Sequence, residues 1–90
     1  MKRVKLKIHG KIQGVFFRYT AKQIADKLKV KGWIKNNFDG TIDAVIEGKD
    51  EAVDEMVKWC KAGPTNSIVE KVDIREEYYK GEFKEFKIEI

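Results

Sequence analysis

The sequence predicts an α+β fold, and three observations carry that prediction. Val4, Leu6 and Ile8 alternate with Lys5, Lys7 and His9, the period-two pattern of a half-buried strand. From Phe17 the period lengthens, placing Phe17, Ala21, Ile24, Ala25 and Leu28 on one helical face. The order then repeats with variation, as β-α-β-β-α-β and one added strand. The economical solution is a ferredoxin-like βαββαβ sandwich, an antiparallel sheet with both helices on one face and an extra C-terminal strand.

Each element has its own signal. Lys22, Asp26, Lys27 and Lys29 form the polar face of the first helix, and Gly32 beyond it is read as its stop. Trp33–Phe38 and Thr41–Glu47 are strand-like runs separated by Asp39-Gly40, a hairpin signal because both residues tolerate positive φ. Asp50 is read as the N-cap of a second helix whose stripe is Val53, Met56, Val57 and Cys60, and Gly63-Pro64 ends it. Val72 and Ile74 mark a fourth strand, Tyr78–Gly81 a turn, and Phe86, Ile88 and Ile90 a fifth strand.

Ninety residues make a single domain, 1–90, with no internal repeat or linker. The chain is 42% hydrophobic and 11% aromatic, enough for a packed interior. No apolar run approaches the ~20 residues that span a bilayer. Met1-Lys2-Arg3 is followed by alternation rather than a signal peptide's apolar block. A soluble, cytoplasmic protein is expected, without a membrane partner. The one cysteine, Cys60, excludes an internal disulfide and most metal–cysteine sites. Charged residues reach 38%, well above the ~25% of ordinary domains, which points to a thermostable protein. The net charge of +4 suits an anionic partner, but interspersed acids make it too modest to call for nucleic acid.

The chemistry concentrates in Ile8-His9-Gly10-Lys11-Ile12-Gln13-Gly14-Val15-Phe16-Phe17-Arg18. A strand that runs through a glycine-containing loop into a helix gathers unpaired backbone N–H groups, which favour a phosphate. Arg18 adds a planar fork of donors matched to phosphate. A cation there opposes the helix dipole unless an anion is present. Only three of the 19 basic residues are arginine, so its choice over lysine at this point carries weight. The loop and the Asn36-Asn37 region are expected to lie near one another.

At Gly10-x-Ile12-Gln13-Gly14-Val15-x-Phe17-Arg18, taken with Gly32-Trp33-Ile34-Lys35-Asn36-x-x-x-Gly40, the chain closely resembles the acylphosphatases. Gly48 and Gly63-Pro64 also fall where that family has them, so the resemblance covers essentially the whole chain. Ile12, Ile34 and Ile42 stand where valine or another small apolar residue is commoner, which touches no polar role. The resemblance implies hydrolysis of acyl phosphates to carboxylate and inorganic phosphate. It implies that Arg18 binds the phosphate, that Asn36 orients the attacking water, and that the N–H groups of Gly14, Val15, Phe16, Phe17 and Arg18 form the phosphate cradle. Gln13 is expected to brace the loop rather than touch substrate.

These residues are chemically sufficient. The leaving carboxylate has a conjugate acid of pKa ~4, so no general acid has to protonate it. Phosphoryl transfer is largely dissociative, so a held water can attack once positive potential surrounds the equatorial oxygens. No metal or cofactor is expected, and the acids show no ligand spacing. Gly10–Gly14 is not followed by Lys-Ser/Thr, which argues against a Walker-type nucleotide site.

Plainer roles compete at several positions. Asn36 and Asn37 could both be turn formers before Asp39-Gly40, Gly10 a turn residue, His9 an exposed sheet residue and Cys60 a small core residue. Phe16, Phe17, Trp33 and Phe38 are expected mostly in the core, and Lys7 and Lys11 either raise phosphate affinity or are simply solvated. The main alternative function is a non-catalytic ferredoxin-like RNA-binding module. Thr41–Glu47 has no aromatic and two acids, which counts against RNA. A catalytically idle domain, or one tuned to carbamoyl phosphate, is a further alternative. The leading expectation is a monomeric acylphosphatase acting on a small-molecule acyl phosphate.

Overall fold

The structure, a computed structural model, describes residues 1–89. Ile90, expected in the last strand, lies outside the described residues. Seven elements follow in order: β1 (Lys2–Lys11), α1 (Phe17–Leu28), β2 (Lys31–Asn36), β3 (Ile42–Gly48), α2 (Asp50–Ala62), β4 (Ile68–Glu77) and β5 (Phe86–Glu89). The strands form a single sheet in the order β4-β1-β3-β2-β5. The helices cover one face, α1 against β2 and β5, α2 against β4, β1 and β3. This is the ferredoxin-like α+β arrangement, extended by β5.

One pairing departs from the expected antiparallel pattern. β5 runs parallel to β2, with Ile34 opposite Ile88, while the other three pairings are antiparallel. The crossover through residues 78–85 explains it. The chain leaves β4 at one edge of the sheet, crosses the end where β1 begins and β3 finishes, with Lys80 and Gly81 bonded to Glu47 and Glu82 to Arg3, and re-enters at the opposite edge. The end from which it re-enters dictates the parallel sense. β1, β2 and β5 therefore all point toward the same end of the sheet.

Register sorts the side chains. Val4, Leu6 and Ile8 lie opposite Ile46, Ala44 and Ile42 and are buried under the helices. They join Phe17, Ala21, Ala25, Val53, Met56 and Phe86 in one core. The ring of Phe17 meets Trp59 at 5.1 Å between centroids. Cys60 is fully buried in that core, and burial pushes its thiol up to about 12. It is a packing residue.

The expected boundaries shift in several places. α1 is ended by Lys29, in the left-handed region at φ 61°, with the Val30 N–H bonded to the Ala25 carbonyl at 2.8 Å. Gly32 lies within β2 and is not the helix stop. Asp50 is the first helical residue and Lys49 the N-cap, without a side-chain hydrogen bond. Gly10 belongs to β1, beside the break in its register with β4, rather than to a turn. In the β2–β3 turn only Gly40 has positive φ, and Asp39 accepts instead from the Thr41 N–H and hydroxyl. Phe16 and Phe38 are exposed, at 79% and 113%, and not in the core.

At the far end of the sheet, Arg3 on β1 faces Glu47 on β3 and Glu77 on β4. Its guanidinium bonds both, at 3.1 and 2.9 Å, and also reaches Glu82 of the crossover. Glu47 in turn accepts the N–H groups of Lys80 and Gly81. This buried network ties the crossover to the sheet, and so fixes where β5 docks.

Candidate active site

Because β1, β2 and β5 point the same way, their ends lie at one end of the sheet, with the loop after β1 and the turn after β2. The loop after β1 carries Gln13 and Gly14, the latter at φ 77°. Phe16 follows with φ 60° and ψ 25°, a left-handed conformation that is an outlier for a bulky side chain. α1 then begins at Phe17, without a capping side chain and without an acid in its first turn. The N–H groups of a first helical turn have no intrahelical acceptor, and here no side chain answers them. Such an end presents donors and the positive pole of the helix to whatever lies in front of it.

In front of it is a cavity of about 250 Å³ lined by Arg18, Asn36, Gly14, Phe16, Tyr19 and Ile88, with Ile12 and Phe17 buried at its floor. Arg18 and Asn36, eighteen positions apart in sequence, line the same cavity. Arg18 donates one Nη1 hydrogen bond to the Glu89 carbonyl on β5, at 3.0 Å. A backbone carbonyl is a neutral acceptor, so this bond leaves the guanidinium without a carboxylate partner among the described residues. Asn36 sits on the last position of β2, on the helix-covered face, opposite Ile42. Its Oδ1 is buried and meets no donor among the described residues. A buried acceptor without a donor costs about 1–3 kcal/mol, and Asn36 lines the cavity, so a donor bound there would relieve that cost.

Gln13 connects the two halves. Its Nε2 donates to the carbonyls of Asn37 and Thr41, at 2.8 and 3.0 Å. Asn37 itself is committed to the turn, its side-chain amide bonded to the Thr41 hydroxyl at 2.9 Å and its backbone N–H to the Thr41 carbonyl at 2.8 Å. Of the two asparagines, only Asn36 lines the cavity.

Other candidates fall elsewhere. Val15 is half-buried against the core and contributes no side chain to the cavity. Lys7 projects from the open face of the sheet, 3.7 Å from Asp43, and neither it nor Lys11 lines the cavity. His9 pairs with Asp73 at 2.9 Å on that open face, which holds the Asp73 carboxyl below its ordinary range. Tyr19 and Ile88 line the cavity without having been singled out in the sequence. Tyr19 carried a weak signal, being next to Arg18 in an exposed first turn. Ile88 carried none, because only the crossover brings β5 beside β2.

Comparisons with known proteins identify the family and the fold. A family model described as Acylphosphatase matches residues 4–88. The chain belongs to the acylphosphatase family. A relative named Acylphosphatase, from Pyrobaculum arsenaticum, is 47% identical over 89 residues, covering 98% of this chain and 94% of its own length. Another of that name, from Syntrophus aciditrophicus, is 44% identical over 88 residues, covering 98% and 92%. The crystal structure of acylphosphatase from Bacillus subtilis superposes with a TM-score of 0.95 at 32% identity, over 100% of both chains. Family membership supports an enzyme that hydrolyses acyl phosphates. Among the described residues no helix is long and apolar enough to cross a membrane.

Proposed function

We propose that this acylphosphatase-family enzyme cleaves the carboxyl–phosphate bond by in-line attack of a water positioned by Asn36. The phosphate is held by Arg18 and the backbone N–H groups of Gly14 to Arg18. The observation that carries this reading is the unpartnered, buried Asn36 Oδ1 in the same cavity as the Arg18 guanidinium. An acceptor beside a phosphate-binding cation can accept a hydrogen bond from water and so aim the water's lone pair at phosphorus.

The water oxygen forms the new bond to phosphorus while the bond to the acyl oxygen breaks, its electron pair leaving with the carboxylate. One proton of the water passes to a phosphate oxygen, so the products are a carboxylate and dihydrogen phosphate. No protein acid has to act on a leaving group this weakly basic. Positive charge on the equatorial oxygens, from Arg18 and the helix start, is what the transition state gains.

The experiment is hydrolysis of benzoyl phosphate with EDTA present, for wild type and Arg18→Ala. Wild-type turnover above the spontaneous rate is expected to fall about 10²–10³-fold in Arg18→Ala, with inhibition by inorganic phosphate weakened. Arg18→Lys is expected to recover little, because a point charge does not reproduce the fork. An Arg18→Ala enzyme with wild-type turnover and wild-type phosphate inhibition overturns the assignment.

A further inference from the structure

We infer that the acyl group this site is shaped to take is bulky and apolar, aromatic or branched, received by Phe16, Tyr19 and Ile88. The inference rests on the acyl-phosphate reading above and adds the half of the substrate that the phosphate site leaves undefined.

Three observations carry it. First, the cavity beside Arg18 has an apolar rim: Phe16, Tyr19 and Ile88 are 79%, 58% and 37% exposed, while Ile12 and Phe17 beneath them are buried. Exposed aromatic and aliphatic side chains grouped around one concavity are the usual mark of a ligand-binding surface. Second, Phe16 is held there at a conformational cost. Its left-handed backbone suits glycine, and strain of this kind persists where the surroundings enforce it and clusters at ligand sites. Its ring gains no burial in return. Third, among the described residues Arg18 is the only charged side chain that lines the cavity. With Arg18 occupied by the reacting phosphate, an acyl group bearing a second phosphate or a carboxylate would meet no cation. An acetyl or carbamoyl group would leave most of the rim uncovered.

Phe16 and Tyr19 stand on opposite sides of Phe17-Arg18 in sequence, one before the first helical residue and one in the first turn. Ile88 enters from β5, opposite Ile34. The rim is thus assembled from the phosphate loop and the added strand. An apolar group attached to a phosphate at the helix start covers both.

Two measurements test this. The first compares kcat/KM for benzoyl and acetyl phosphate in wild type, Phe16→Ala, Tyr19→Ala and Ile88→Ala. Each variant is expected to lower the benzoyl-to-acetyl ratio roughly ten-fold, the scale on which apolar pockets discriminate. Loss of activity on both substrates in equal proportion would mean that these side chains only support the loop, and would overturn the inference. The second is calorimetric binding of benzylphosphonate and methylphosphonate, which requires no turnover. Wild type is expected to bind benzylphosphonate about ten-fold more tightly, and Tyr19→Ala to remove the difference. Equal affinities in wild type overturn the inference even if acyl phosphates are hydrolysed. Conversely, a wild type that discriminates the phosphonates yet hydrolyses neither acyl phosphate retains the apolar site and refutes the catalytic reading.

Discussion

The side chain of Gln13 donates from one nitrogen to the backbone carbonyl of Asn37, at 2.8 Å, and to that of Thr41, at 3.0 Å. These bonds join the loop before α1 to the turn that follows Asn36, so that the proposed phosphate cradle and the asparagine share one frame. Gln13→Ala removes both, leaving the Asn37 carbonyl with the Gly40 N–H and the Thr41 carbonyl with the Asn37 N–H. Since neither acceptor is orphaned, the expected stability loss is only about 1–2 kcal/mol. Turnover is expected to fall about ten-fold or more, because misplacement of positioned groups is costly in rate. Urea denaturation and steady-state kinetics check the two effects together. A variant that loses stability but keeps kcat would mean that the bonds brace the fold and not the site.

Asn36→Ala offers a sharper separation. If Oδ1 is reserved for the attacking water, its removal lowers kcat about 10²-fold or more while phosphate inhibition persists. The ligand-free protein is expected to lose little stability, or to gain some, because a buried acceptor that pays about 1–3 kcal/mol for desolvation disappears. Thermal melting and the inhibition constant for inorganic phosphate decide the matter. Lost phosphate affinity with retained turnover would reverse the roles assigned to Asn36 and Arg18.

Much of this was legible in the sequence because it is local. The alternation of Val4, Leu6 and Ile8 fixed a face of β1, and the change of period at Phe17 located the start of α1. Motif register singled out Asn36 over Asn37, and the structure separates them by what each side chain does: Asn37 is consumed by the turn, Asn36 lines the cavity. What the sequence hid is non-local. The parallel sense of β5 and the place of Ile88 both follow from the crossover at residues 78–85, whose path is set by Arg3, Glu47, Glu77 and Glu82, residues up to 79 positions apart. Helix ends were misplaced for a related reason. Gly32 looked like a helix stop, yet it is needed where two strands approach closely, while Lys29 takes the strained position itself.

That close approach makes a direct prediction. A Cβ built on Gly32, at φ 143°, would lie 1.8 Å from the Val45 carbonyl oxygen on the central strand β3. Backbone would have to move on both strands, and Gly32→Ala is expected to cost about 3 kcal/mol or more. Gly40→Ala is the control, since at φ 91° its Cβ meets nothing within 4 Å. Only the conformational penalty remains there, about 1–2 kcal/mol. Chemical denaturation of the two variants should therefore rank Gly32→Ala well below Gly40→Ala. The reverse order would mean that β2 and β3 can part without loss.

The Arg3 network predicts how stability responds to acid. Burial pushes the Glu47 carboxyl up, but the Lys80 and Gly81 N–H groups and Arg3 outweigh it and hold it below its ordinary value. Glu77 is held down chiefly by its hydrogen bond to Arg3. A carboxylate whose pKa is lowered by folding adds stability at pH above its unfolded value, ~4.3 for glutamate, and loses it as pH falls through the folded value. The midpoint of thermal unfolding is therefore expected to be flat near neutrality and to drop below about pH 4.5. Arg3→Met isolates the cause. At pH 7 it leaves Glu47 ionised in a buried site with only backbone donors, at an expected cost of about 3–5 kcal/mol. As pH falls Glu47 takes up a proton, the uncompensated charge vanishes, and the gap between variant and wild type should narrow. Melting curves from pH 7 to pH 3 measure that gap. A gap independent of pH would show that Arg3 contributes through packing of its stem and not through the charge of Glu47.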